Sequence, residues 1–366
     1  MFEAIVVRER TLGALLDQHP LNTPPSAALI SAAKEWSEAV WDTSQGRPSS
    51  VLNDDEVERG IALSHRPVFV CGAHRSGTTL VRDLLDGHPS LSVLPSEGTF
   101  FTSLRGQRLH RSPDERLASF AVEWLRRLAN PINRPPYWLL GRSTADASSY
   151  VEFADILRAW WVISQRRLAP DTSAWPLVAV SLAFGHTTRG LRSAGEPSRW
   201  VEKTPGNERF ARLIVKEFPG ARIIHVVRHP LSVLASRKRL ELLARGSFWR
   251  RGSVLRELAA SYRAALKHTT GSLAVHYCIV RYEELIEDPP KVTDRIARFL
   301  DIEPLPVLLR PTVAGIPSVT NSAFNNEGRA GLIAPAAQSE VLSRSERMLA
   351  AVWVGRVAEG LGYRLK

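Results

Sequence analysis

The residues of this chain best suited to chemistry are gathered in Gly72-Ala-His-Arg-Ser-Gly-Thr-Thr79. Two glycines enclose Arg75 and Ser76, and Thr78 and Thr79 follow. Small residues let a chain bend so that successive backbone N–H groups face one point. A helix starting there adds its positive dipole end, and the combination holds phosphate or sulfate. The pattern is close to GxxxxGK(S/T), with Gly72 and Gly77 in place, but Thr78 stands at the lysine position and Arg75 projects from inside the loop. In an ATP-binding loop that lysine reaches the β/γ-phosphates and the next hydroxyl holds magnesium. Its loss argues against an ordinary ATPase or kinase. Elsewhere, Glu97 falls where a reacting group could be, and Lys203 stands at a second anion-friendly spot before a predicted helix N-terminus. His74, His88 and His229 are further candidate bases, with His88, before Pro89 at a helix end, read as structural.

The elements that must position these side chains follow from hydrophobic patterning. Pro67 to Cys71 is a short apolar run with β-branched residues, the pattern of a strand buried on both faces. Thr78 to Asp86 has helical spacing, with Leu80, Leu84 and Leu85 on one face. Leu91 to Leu94 reads as a second strand that Pro95 ends, which leaves Glu97 in a loop at a strand's carboxyl end. Ligands of open α/β sheets bind there. Arg199 to Glu202 predicts a strand leading into Lys203, with Thr204 as a helix N-cap and Pro205 at the first helical position. Arg222 to Val227 predicts another strand, with Arg228 at its end and a helix from Pro230 that carries Ser236. Val275 to Tyr282 predicts a strand, Pro290 to Leu300 a helix, and Ser343 with Glu346 the cap of a last helix. The alternation predicts an α/β fold: a three-layer, P-loop-like domain whose mostly parallel central sheet is flanked by helices.

Around this frame, residues 1–65 read as an N-terminal helical extension. It holds an amphipathic helix at Ser26 to Trp41, a Gly/Pro/Ser-rich linker at Thr43 to Asn53 and a short helix at Asp54 to Ala62. Residues 66–366 form the main domain. Helices are expected over 113–129, after the Ser149/Glu152 capping pair and over 173–192, and a loop over Glu241 to Gly252. Residues 310–338 lack any period, as in a lid or acceptor-binding loop.

GAHRSGTTLVRDLLDGHP, followed by Ser96-Glu97, resembles the phosphosulfate-binding loop of sulfotransferases that use 3′-phosphoadenosine 5′-phosphosulfate (PAPS). The RSGTT form is most similar to tyrosylprotein sulfotransferases and to a large set of bacterial sulfotransferases. EKTP, then FPGARIIHVVRHP, is similar to the middle block of the bacterial enzymes, and VRYEELIEDP to the block after it. The resemblance implies transfer of a sulfuryl group from PAPS to an acceptor hydroxyl, or secondarily an amine, with no metal required. It implies a nucleotide site of Gly72, Arg75, Ser76, Gly77, Thr78, Thr79, Arg228 and Ser236, the last two holding the 3′-phosphate. It implies Glu97 as general base, with Arg75 and Lys203 stabilising charge on the sulfuryl oxygens and the leaving phosphate. The spacing between the RSGTT loop and the glutamate is not identical in every branch of the family. Two other classes fit parts of the pattern: a magnesium-dependent phosphotransferase, and a non-catalytic anion- or nucleic-acid-binding protein.

Composition narrows the partners. The formal net charge is +11 over 366 residues, which suits an anionic ligand. Lysine is scarce and arginine dispersed, with no dense basic block interleaved with aromatics, so nucleic acid is not an expected partner. No apolar run approaches the roughly 20 residues of a membrane helix. The N-terminus lacks a small-residue cleavage site, so the expected location is cytoplasmic. Cys71 and Cys278 fall in strands as packing residues, and no Cys/His cluster has zinc-ligand spacing. The expected acceptor is a hydroxyl on a small molecule, a glycan or a lipid. Trp138, Trp160 and Trp161 point to an apolar or ring-bearing one. The N-terminal region reads as a packing extension without chemistry, with a homodimer contact as the alternative.

Overall fold

The computed structural model describes residues 65–94, 97–98, 100–103, 198–245, 251–313, 316–317 and 341–365, with Leu63 and scattered residues between 7 and 35. The chain forms two compact units, one from residues 1–64 and 99–191 and the other from 65–98 and 192–366. In the first unit, Phe100–Ser103 is a helical turn and the described residues from Val7 to Glu35 are helical apart from Ser26. The expected linker at 43–53, the helices between 113 and 192 and the three tryptophans lie outside the described residues, as does most of 310–338. Among the described residues no helix is long and apolar enough to cross a membrane.

The second unit is built on five strands: β1 (Val68–Cys71), β2 (Leu91–Val93), β3 (Arg199–Lys203), β4 (Arg222–Val227) and β5 (Tyr277–Arg281). Their order is β2-β3-β1-β4-β5 and every pairing is parallel. Parallel neighbours need crossovers, usually helical. Here α1 (Thr78–Leu85) leads from β1 to β2, and α2 (Ala211–Glu217) from β3 to β4. The β4–β5 crossover holds α3 (Pro230–Arg245) and α4 (Arg251–Thr269), and α5 (Tyr282–Glu287), α6 (Pro289–Leu300) and α7 (Arg344–Glu359) follow β5.

Strand alternation distributes the side chains over two cores. Val68, Val70, Ile224 and Val226 pack with Leu80 and Leu84 of α1 and with Val292, Ile296 and Leu300 of α6. On the other side Phe69 packs edge-on against Trp200, with ring centroids 5.5 Å apart, and Val227 joins Val233 of α3, Leu258 of α4 and Val354 of α7. All four residues of β1 are buried, which is why its sequence is a continuous apolar run instead of an alternation. Helices on both faces of a parallel sheet make the three layers the sequence predicts.

Three local features differ from the sequence reading. Thr204 does not cap a helix: its hydroxyl donates to Glu202, and the chain resumes helical form only in a 3-10 turn at Asn207–Phe210, after Gly206 at φ 91°. The backbone is still running along β1 there, with Thr204 N–H donating to Val70 O and Gly206 N–H to Gly72 O, both at 3.1 Å. In the expected loop at 241–252, the described residues 241–245 and 251–252 are helical, as the end of α3 and the start of α4. Leu242, Leu243 and Ala244 are strong helix formers. Within the aperiodic segment, Thr312–Val313 and Ile316–Pro317 pair as a short antiparallel ladder, too short to leave a period in the sequence. Ser343 and Glu346 do form the expected capping box of α7.

Candidate active site

The parallel register sets the carboxyl ends of β3, β1 and β4 side by side, with Val70 opposite Lys203 and Cys71 opposite His225. The loop after β1, Lys203 at the end of β3 and Arg228 just past β4 therefore meet at one sheet edge. From β1 the chain passes to β2 on one side, and β4 lies on the other. This is the strand-order reversal at which α/β sheets bind ligands.

The loop's glycines are fixed by close approach. Gly72 is at φ 140°, and a Cβ there would run into the Val226 carbonyl oxygen; at Gly77, φ 103°, it would overlap the Tyr282 ring. Arg75 takes a left-handed conformation without being glycine, φ 72°. Such residues carry strain of order 1–3 kcal/mol and cluster at functional sites. Several loop N–H groups are already committed to the protein. That of Gly72 donates to Glu208 Oε2 (3.1 Å), that of His74 to Glu257 Oε1 (2.9 Å) and that of Ser76 to Ala73 O (3.1 Å). The Gly72 N–H is thus engaged by a protein carboxylate. Gly77, Thr78 and Thr79 supply the N–H groups at the start of α1, where a helix has no acceptor of its own for them. The Ser76 hydroxyl is fully buried and without a hydrogen-bond partner.

Two charged groups flank the loop. In the first, Arg75 Nε donates to Ser236 Oγ (3.1 Å) and Arg228 Nη1 to the Arg75 carbonyl (3.2 Å). The Arg228 guanidinium lies 4.4 Å above the Tyr282 ring, and its Nε is buried without a partner. Burial, then the neighbouring Arg228 and Arg237, push the Arg75 pKa down. Of these, Arg237 pairs with Glu257 Oε2 at 3.5 Å. In the second group, Lys203 Nζ is 2.5 Å from Glu97 Oε1, with the lysine side chain 5% exposed and the glutamate 37%. Burial lowers the Lys203 pKa and Glu97 opposes that shift. Arg75 thus reaches Ser236 with its side chain and Arg228 with its carbonyl.

The candidate histidines are engaged elsewhere. His74 Nδ1 is 2.6 Å from Glu257, and His229 Nε2 is 3.3 Å from the Arg364 carbonyl. His88 Nδ1 accepts from Ser90 N–H (3.1 Å), so Nε2 donates to the Glu303 carbonyl (2.9 Å), a structural turn. The sequence reading gave no role to Glu202 and Glu208, and placed Tyr282 only at the end of a strand. Glu202 is wholly buried, and desolvation raises its pKa to about 7 against three hydrogen-bond donors. Among the described residues no group of three or more His, Cys, Asp or Glu is placed to hold a metal ion.

Comparison with known proteins gives the same direction. No curated protein matches the chain. Among solved structures, the sulfotransferase domain from the curacin biosynthetic pathway is 18% identical, aligned over 82% of this chain and 99% of that one, with a TM-score of 0.46. The sulfotransferase domain of the Synechococcus PCC 7002 olefin synthase is 20% identical over 82% and 97%, TM-score 0.48. Sulfotransferase STF9 from Mycobacterium avium is 16% identical over 84% of both chains, TM-score 0.40. A family model described as the sulfotransferase family matches residues 67–306. That span includes all five strands, the loop and every candidate side chain described here, and the chain belongs to the sulfotransferase family.

Proposed function

We propose that this member of the family transfers a sulfuryl group from PAPS to an acceptor hydroxyl. The observation that carries the reading is the pair of flanking groups at one sheet edge: Arg75–Arg228–Ser236 on one side of the loop and Lys203–Glu97 on the other. A nucleotide with a 3′-phosphate and a 5′-phosphosulfate has anionic ends for both. The fit is supported by two buried polar atoms that lack hydrogen-bond partners among the described residues, Ser76 Oγ and Arg228 Nε.

In this reading Gly77, Thr78 and Thr79 bind the 5′ end through the start of α1, with the Ser76 hydroxyl beside them. Arg228 and Ser236 bind the 3′-phosphate, and Arg75 joins them through its bond to Ser236. PAPS, when bound, supplies the activated sulfuryl group and a phosphate leaving group. Glu97 takes the proton of the acceptor hydroxyl, a role that typically contributes 10²–10⁴-fold. Lys203 holds Glu97 in place and puts a positive charge where negative charge develops, worth of order 3–4 kcal/mol for a well-placed donor. The acceptor is a small-molecule, glycan or lipid hydroxyl. Residues 1–65 serve as an extension to a catalytic region at 66–366, with 310–338 as its lid or acceptor-binding loop.

The test is transfer of ³⁵S from labelled PAPS to a panel of phenols, sugars and hydroxylated lipids, with Glu97→Gln as the blank. Label transfer by wild type alone is the expected result. Transfer of ³²P from ATP with magnesium, and none of ³⁵S, would replace this reading with a phosphotransferase.

A further inference from the structure

Glu202 is a fully buried carboxylate that the chemistry above does not use. Its neighbour Lys203 holds the side chain of Glu97. Glu202 itself holds the backbone of the next residue: Oε1 accepts the Gly98 N–H at 3.0 Å. The rest of its bonding anchors the carboxylate. Oε1 also accepts from the Thr204 hydroxyl, and Oε2 accepts from Asn207 Nδ2 at 2.8 Å. Consecutive residues of β3 thus grip the dipeptide Glu97-Gly98, one by its side chain and one by its main chain.

We propose that Glu202 is a positioning residue: it fixes the Glu97–Gly98 turn so that the Glu97 carboxylate stands beside Lys203. The proposal rests on Glu97 being the base. Burying a charge is costly unless donors surround it, and an amide oxygen in the same place would hold Gly98 more weakly. A carboxylate retained there, with no contact to solvent, strengthens the one hydrogen bond that reaches the base's own turn. The same stretch anchors the phosphate loop, because Glu208 accepts from Gly72 N–H and Gly206 N–H donates to Gly72 O. The charged groups facing Glu202 are Lys203, which favours its ionised form, and Glu97, which opposes it; Cys71 of β1 feels both Glu202 and Glu208. Burial raises the Glu202 pKa to about 7, and the Gly98 bond tightens as the carboxyl ionises.

The test uses the full chain labelled with ¹⁵N-glycine, without nucleotide, and follows the Gly98 amide (assigned with Gly98→Ala) from about pH 5.5 to 8.5. The Gly98 amide proton should move downfield with a midpoint near 7. The movement should vanish in Glu202→Gln and persist in Glu97→Gln. In Glu202→Gln, turnover should fall at least about tenfold while affinity for 3′,5′-adenosine bisphosphate stays within about twofold. Glu202→Asp, which keeps the charge, should retain the Gly98 titration and recover part of the turnover. An unchanged Gly98 amide shift or wild-type turnover in Glu202→Gln overturns the proposal. If Glu202→Gln fails to fold, Glu202→Asp decides: wild-type turnover with the Gly98 bond lost overturns it. A fully active Glu97→Gln would instead remove the base reading, with the Gly98 titration still reporting on Glu202 alone.

Discussion

Replacing Arg228 with alanine should weaken 3′,5′-adenosine bisphosphate far more than AMP. Arg228 is 7% exposed and spends Nη1 on the Arg75 carbonyl at 3.2 Å, while its Nε has no protein partner. The substitution removes two things. One is a charge-assisted hydrogen bond to the 3′-phosphate, about 1.5–3 kcal/mol. The other is the brace on the Arg75 carbonyl, about 1 kcal/mol, which both ligands feel because both place a phosphate in the loop. The stacking on Tyr282 exists in the free protein and largely cancels in binding. At about 1.4 kcal/mol per tenfold, AMP should lose roughly fivefold and the bisphosphate roughly 60- to 700-fold. The preference for the bisphosphate should therefore shrink by at least about tenfold. Titration calorimetry of both ligands in one buffer reads the ratio, with Arg228→Lys as the variant that keeps charge but loses the planar fork. Equal losses for the two ligands would refute the assignment and leave Arg228 as a brace of the loop.

Glu97→Gln should keep bisphosphate affinity and lose about 10²–10⁴-fold in turnover, measured as ³⁵S transfer; an active variant would hand the base role elsewhere. Lys203→Met should lower kcat by roughly 10²–10³ with little change in donor KM, and a change confined to KM would remove Lys203 from the reacting end. His225 lies buried between Tyr277 OH (2.6 Å) and Ser261 Oγ (2.9 Å), and desolvation lowers its pKa from 6.5 to about 4. The unfolded chain takes up that proton first on acidification. The neutral imidazole's contribution is therefore complete above pH 6.5 and is lost as pH falls toward 4, by about 3 kcal/mol. Glu202 acts in the opposite sense: its folded pKa is raised from 4.5 to about 7, so stability declines as pH rises between those values. Urea unfolding of His225→Asn should show a smaller stability loss between pH 6.5 and 4 than wild type, and an identical loss would contradict a buried neutral imidazole.

What could be read in the sequence was local. The phosphate loop, the strand before it and the helix after it are contiguous, so Gly72, Gly77 and the start of α1 follow from residue types alone. Lys203 and Arg228 were legible as strand-end cations, and the sheet register then brings them to the loop. The direction of Arg75 was not legible, because it depends on Ser236, a partner 161 positions away. Nor were the carboxylates that brace the site. Glu202, Glu208, Glu257 and Glu283 each accept a backbone N–H from a distant loop residue: Gly98, Gly72, His74 and His229. In sequence each looks like an ordinary solvated glutamate. Thr204-Pro205 has the residue types of a helix start, but pairing with β1 and Gly72 overrides that local preference. Tyr282 reads as one more aromatic until the fold sets it under Arg228 and against Gly77.

The central claim is the nature of the nucleotide, and calorimetry of the wild-type protein tests it most directly. 3′,5′-Adenosine bisphosphate is titrated in the presence of EDTA, and ATP with magnesium in a matched buffer. Tight, metal-independent binding of the bisphosphate, with ATP·Mg much weaker, is the predicted result. A preference for ATP·Mg, or no binding of either nucleotide, would contradict the account.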